Sequence, residues 1–236
     1  MQETGNSQMT MKDTFDRISI QVGLSGYSFK IQAGEREHSS GWMGVERIFS
    51  TPEFQKRYTD VSISVFTPKC ALVPSQFHLP ENSRQMLADV MNISDDEGVE
   101  YVSVPEFAAV LLYSNTVVGS ISRVISETVL RTDGTKARPL PEIYYMLKQL
   151  NDIQEYNKIL VSYKDDYLYL VIAQGKSLLF CNTFKVIDFT TAQYFIFLTM
   201  KKLQLNPEVS SIFFRTPLDQ EQEMSLYRYF RNVEQF

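Results

Sequence analysis

Hydrophobic and polar positions alternate with two different periods along this chain, and the most regular stretch lies in its second half. Ile159 to Tyr163 is apolar, Lys164-Asp165-Asp166 is a polar turn, and Tyr167 to Ala173 is a strongly strand-forming run. A second turn at Gly175-Lys176 leads into Ser177 to Phe184, so the pattern predicts an antiparallel three-stranded meander. The middle run is apolar on both alternating faces (Tyr167, Tyr169, Val171 and Leu168, Leu170, Ile172), which predicts a sheet covered on both sides. A helix is predicted over Thr190 to Leu205, apolar for most of its length, with Phe195, Leu198 and Lys202 beside Tyr194, Phe197 and Lys201, and Asn206-Pro207 stops it. Val209 to Phe214 then reads as a strand, and Glu221 to Val233 as a closing helix with Met224, Tyr227, Phe230 and Val233 on one stripe.

The first half begins with Met1 to Asp16, polar and expected to fray. Arg17 to Leu24 and Tyr27 to Gln32 alternate at period two around Ser25-Gly26, a hairpin signature. Gly34 to Gly44 reads as a loose loop around His38 and Trp42, and Ser50 to Tyr58 as a short helix capped by Ser50 or Thr51 with Pro52 in its first turn. Val61 to Val65 and Cys70 to Val73 are strands, and Asn82 or Ser83 opens a helix with Met86, Leu87, Val90 and Met91 on its apolar side. Strands at Val99 to Val104 and Phe107 to Tyr113, a helix over Thr116 to Ser126, a short strand at Val129-Leu130 and a helix over Glu142 to Asp152 follow.

Composition narrows the function classes. With 23 Lys and Arg against 28 Asp and Glu the formal charge is −5, and without a basic cluster nothing points to nucleic acid. Cys70 and Cys181 stand far apart, outside any C-x-x-C, so two buried thiols in a reducing compartment are expected rather than a zinc or redox motif. No apolar run reaches the roughly 18 residues of a membrane span, and the N-terminus has no apolar signal core, so the chain is expected to be cytoplasmic.

Three meandering strands followed by helix, strand and helix is the order of a ribonuclease H-like domain, and the first half reads approximately the same way, with Val61 as its third strand. An α/β chain of mixed sheets is therefore expected, with a first lobe over 17–150 and a second over 151–236. Ile18 to Val22 with Ser25 to Phe29, Ala71-Leu72-Val73-Pro74, and Leu178 to Phe184 resemble a Bacteroidetes family catalogued as a domain of unknown function with an actin-like ATPase fold. That family is similar in outline to cell-division and pilus-assembly proteins, and the resemblance spans roughly Ile18 to Val233. It implies two tandem ribonuclease H-like lobes facing across a cleft.

Actin-like ATPases close two hairpin turns over phosphates, and glycine there lets backbone N–H groups reach the oxygens while acidic residues organise a metal. The corresponding candidates are Gly23, Ser25 and Gly26 on the first turn and Asp165 and Asp166 on the second. Gln21 stands where an Asp is wanted, and the second turn has carboxylates but no Gly, so the cradle repels phosphate unless a divalent cation intervenes. Gly175-Lys176-Ser177 copies the end of a phosphate loop in a strand-turn-strand context that does not suit one. His38 and His78 read as surface side chains and Asp95-Asp96-Glu97 as a solvated loop. The expectation is a non-catalytic protein-binding scaffold or assembly factor, with no cofactor and with a protein partner or self-association. The alternative is a switch or weak ATPase using ATP and magnesium in the cleft.

Overall fold

The computed structural model describes residues 15–236. The expectation for Met1 to Thr14 lies outside the described residues. Asp16, expected to fray with them, instead lies in the first strand: β1 (Phe15–Gly23) pairs antiparallel with β2 (Gly26–Ala33), which pairs with β3 (Arg36–Ser39). β4 (Arg57–Val65) runs parallel to β1 on its other side.

Next comes a separate antiparallel sheet of β5 (Cys70–Pro74), β6 (Glu100–Val104) and β7 (Ala109–Tyr113), with β7 in the centre and α1 (Ser83–Ala88) between β5 and β6 in the chain. After α2 (Gly119–Thr128), two short strands, β8 (Leu130–Arg131) and β9 (Pro139–Pro141), both join β4. α3 (Glu142–Gln149) leads to the second large sheet, β10 (Asn157–Lys164), β11 (Tyr167–Gln174) and β12 (Ser177–Lys185). α4 (Phe189–Lys202), β13 (Ser211–Phe214), α5 (Gln220–Tyr227) and β14 (Asn232–Gln235) complete the chain. The second sheet is ordered β12-β11-β10-β13-β14 and the first β3-β2-β1-β4-β8, so each has an antiparallel meander on one flank and parallel strands on the other.

The meander around β11 follows the apolar pattern closely. Tyr169, Val171 and Ala173 face one core with α3, while Leu168, Leu170 and Ile172 face another with α4 and α5. Ile143, Met146 and Leu147 of α3 and Leu150 directly after it recur at one-face helical spacing and are all buried, each contributing roughly 1.5–3 kcal/mol.

Several expectations are corrected. The third meander strand of the first sheet is β3, inside the segment read as a loose loop. Its residues, Arg36-Glu37-His38-Ser39, are all exposed, and an edge strand with no buried face carries no alternating signal. The strand at Val61 is instead the parallel partner of β1. The helix expected over Ser50 to Tyr58 is a single 3-10 turn, Pro52–Gln55. The Thr51 hydroxyl reaches the Arg47 carbonyl (2.8 Å) and Tyr27 OH (2.7 Å) rather than capping.

α1 stops at Ala88, leaving Val90 64% exposed. The long helix stops at Lys202 because Gln204 turns left-handed (φ 57°), and the helix expected to reach Val233 ends at Tyr227. Asp219 and Gln222 form a reciprocal cap at its start. Val233 is buried by pairing with Ile212 as part of β14, whereas Met224 and Tyr227 are exposed.

Candidate functional site

The two hairpin turns singled out from the sequence touch. In the first, Leu24 and Ser25 form a two-residue loop, and Gly26 takes φ +144°. A Cβ on Gly26 would collide with the Met43 carbonyl, which is held by reciprocal backbone bonds between Tyr27 and Met43 (2.9 and 2.7 Å). Gly26→Ala is therefore expected to cost about 1–3 kcal/mol from backbone strain alone, read as a lowered urea midpoint. An unchanged midpoint would show that the Tyr27–Met43 bridge is dispensable.

The second turn has Asp165 and Asp166 at φ 51° and 61°, the left-handed pair a tight hairpin needs. Aspartate tolerates this region because its short side chain bonds locally, which explains a turn without glycine. Asp166 is exposed, and its carbonyl accepts the Val186 N–H at 2.8 Å.

Asp165 reaches across to the first hairpin. Its Oδ2 accepts the Leu24 backbone N–H at 2.7 Å and its Oδ1 accepts the Ser25 hydroxyl at 3.2 Å. A Cβ on Gly23 would strike Asp165 Oδ2, so glycine is what admits the carboxylate. Trp42 Nε1 donates to Ser25 Oγ at 3.1 Å, and Lys164 Nζ lies 3.6 Å from the centre of a Trp42 ring. Burial lowers the Lys164 pKa, opposed by Asp165. Gly23, Ser25 and Asp165 are thus brought together, and the anion on the backbone N–H is the protein's own.

Behind the turns lies a group that sequence reasoning missed. Glu142, the first residue of α3, is fully buried. Its Oε1 accepts Ser162 Oγ at 2.6 Å, Arg215 Nε at 2.8 Å and Gln21 Nε2 at 3.2 Å, and its Oε2 accepts the Ser64 hydroxyl. Gln21 and Ser64 are register partners on β1 and β4, while Ser162 lies on β10 and Arg215 directly follows the last residue of β13. One carboxylate therefore ties β1 and β4 of the first large sheet to β10 and the residue that follows β13 in the second. Burial pushes its pKa up, but the Arg215 guanidinium and the two hydroxyls outweigh this and hold it below the usual range. Gln21 now has a reason: an aspartate there would oppose Glu142, whereas an amide donates to it. The hint was a lone Glu directly after Pro141 at a helix start, a position that sequence alone reads as exposed.

A cleft of about 620 Å³ opens beside this group between the polar face of the first sheet and the end of the second, lined by Ser19, Gln21, Lys30, Gln149, Arg215 and Phe236 among others. No residue of either hairpin turn, Leu24 to Gly26 or Lys164 to Asp166, lines it. Among the described residues no group of three or more His, Cys, Asp or Glu could hold a metal ion, and no helix is long and apolar enough to cross a membrane.

The remaining candidates take structural places. His38 is exposed, and His78 shares a 2.9 Å hydrogen bond with Ser83. Gly175-Lys176 is the β11–β12 turn. Cys70 and Cys181 are free thiols, with Cys70 buried and Cys181 half-buried. The Asp95-Asp96-Glu97 loop departs from its solvated reading, because Glu97 is buried and ion-paired with Lys69, which with the Ser94 amide and Ser114 lowers its pKa to about 2 against the opposing effect of burial.

The sequence matches the model of a family described as protein of unknown function (DUF3822) over residues 7–233. The chain belongs to that family. No curated protein matches it. Among solved structures it is similar to a Bacteroides thetaiotaomicron protein with an actin-like ATPase fold and unknown function, at TM-score 0.66 and 14% identity, covering 95% of this chain and 92% of that one. It is also similar to a chain of the PilM-PilN type IV pilus biogenesis complex, at TM-score 0.50 and 11% identity, covering 94% and 88%. The fold is that of a mixed α/β actin-like ATPase.

Proposed function

We propose that this chain is a non-catalytic member of the actin-like fold that acts in the cytoplasm as a protein-binding scaffold or assembly factor. Its two large sheets would form two ribonuclease H-like lobes over 17–150 and 151–236. The lobe reading rests on the shared strand order of the two sheets. The carrying observation is Asp165: its carboxylate takes the Leu24 N–H and the Ser25 hydroxyl, donors that a nucleotide-hydrolysing relative would offer to phosphate. A phosphate would have to displace a charged hydrogen bond and then sit beside the same carboxylate. The structurally similar chain of the PilM-PilN complex, itself part of a protein assembly, gives the protein-binding half its precedent. Exposed apolar side chains such as Phe49, Phe77 and Ile187 supply surface for partners.

ATP with magnesium decides between this reading and a nucleotide switch built on Gly23, Ser25, Gly26, Asp165 and Asp166. We expect a Kd no tighter than about 1 mM, so that 1 mM ligand stabilises the fold by at most about 0.4 kcal/mol and shifts the melting temperature by less than about 2 °C. A micromolar site would add about 4.1 kcal/mol. A shift of that size, lost in Asp165→Ala, would replace the scaffold with the switch.

A further inference from the structure

The sheet edges differ in how they are guarded. Long, flat, uncharged edges pair with other chains, and proteins blunt them with charge, proline or shortness. β3 is short and carries Arg36, Glu37 and His38, β14 has four residues including Glu234, β9 has two prolines, β5 ends at Pro74 and β6 bears Glu100. β12 carries only one such guard, Lys185 at its last position. It has nine residues, its outer side is unpaired among the described residues, and its interior from Leu178 to Phe184 is uncharged. Leu179 forms a bulge near its start, leaving Phe180 to Lys185 in regular register with β11.

An aromatic strip runs alongside. Phe180 and Phe184 stack with ring centres 6.0 Å apart, and Phe184 stacks on Phe195 of α4 at 4.6 Å. All three are half-buried, and Leu179, Ile187 and Tyr194 nearby in the chain are exposed. At its Ser177–Leu178 end the edge meets a cleft of about 520 Å³ lined in part by Leu72, Pro74 and Phe107.

We propose that β12 is a docking edge for an extended partner segment that adds as a further strand, with apolar side chains at alternate positions and acidic residues at its ends. Charge identifies this occupant. In an acidic chain, Lys176 and Lys185 stand exposed at the two ends of the edge, and Lys202, also exposed, lies two turns beyond Phe195 on the same helix face. Of the acids near these ends, Asp188 already bonds to Thr191 at 2.7 Å as a helix cap and Glu106, in the cleft beside Lys176, is paired with Lys148. The exposed Asp166 stands next to Lys185, its carbonyl accepting the Val186 N–H at 2.8 Å. A second copy is disfavoured, because antiparallel self-pairing about Cys181 sets Lys185 opposite Ser177 and next to Lys176 of the other copy, at both ends. Main-chain bonds would supply affinity, and the aromatic strip and lysines would supply selection.

This inference rests on the protein-binding reading, yet the two fail separately, since tight ATP binding would overturn only that reading. The test is selection of random nine-residue peptides on the immobilised full chain, with binding to wild type compared with Lys176→Glu/Lys185→Glu and with Asn182→Lys. These three positions are exposed, so each variant is expected to keep its melting temperature. The expected result is enrichment of alternating apolar peptides with Asp or Glu at their ends, bound at least tenfold more weakly by both variants and lost on N-methylation of alternate peptide amides. Three results overturn it: no enrichment, enriched peptides that bind both variants as well as wild type, or a wild-type dimer in sedimentation that Asn182→Lys dissolves.

Discussion

Leu170→Asp is expected to leave little or no folded protein. Leu170 is fully buried at the centre of β11, paired on one side with Val161 and on the other with Asn182, and its side chain enters the core formed with α4 and α5. A carboxylate there loses the apolar transfer energy and has no cation within that core to pair with, so the cost exceeds about 4 kcal/mol against a total stability of about 5–15. Leu170→Met, which conserves volume, should cost less than about 1.5 kcal/mol. Urea unfolding of both variants checks this. An unchanged midpoint for the aspartate variant would mean that α4 does not cover β11.

Glu142→Ala should destabilise by about 3–5 kcal/mol, the usual cost of removing one partner of a buried ion pair. The loss is large because the Arg215 guanidinium, only 17% exposed, and the hydroxyls of Ser64 and Ser162 are all left facing an empty site. A loss below about 1 kcal/mol would mean that water from the adjoining cleft replaces the carboxylate.

Acid should reproduce part of this effect. A carboxyl whose folded pKa lies below its unfolded value of about 4.3 stabilises fully above that pH and loses its contribution as pH falls toward the folded pKa. Glu142 and Glu97 are both shifted down, Glu97 to about 2. The wild-type urea midpoint should therefore fall between about pH 4.3 and 2, and less steeply in Glu142→Ala. Equal slopes would show that Glu142 is not ionised in the folded chain.

Strands with a buried or half-buried face were legible because burial imposes a pattern on them: β1, β2, β10, β11 and the half-buried β12 lie within a few residues of their predicted positions. β3 and β14 were not, since the first buries nothing and the second buries chiefly Val233, which fits a helical stripe equally well. Of the candidate site, Gly23, Ser25 and Asp165 were visible as turn residues, because turns demand special backbone conformations that few residue types supply.

What the sequence determined by itself is therefore local: the meander, the amphipathic helices, the turn chemistry and the acidic, low-cysteine composition. What only the tertiary structure decided is which side chains satisfy one another across the chain. Asp165 meets Leu24 across 141 positions and Glu142 meets Gln21 across 121. A carboxylate in sequence looks alike whether it faces water, a metal or a backbone N–H. Its chemistry is set by desolvation and by the donors around it, and those exist only once both sheets have packed against α3.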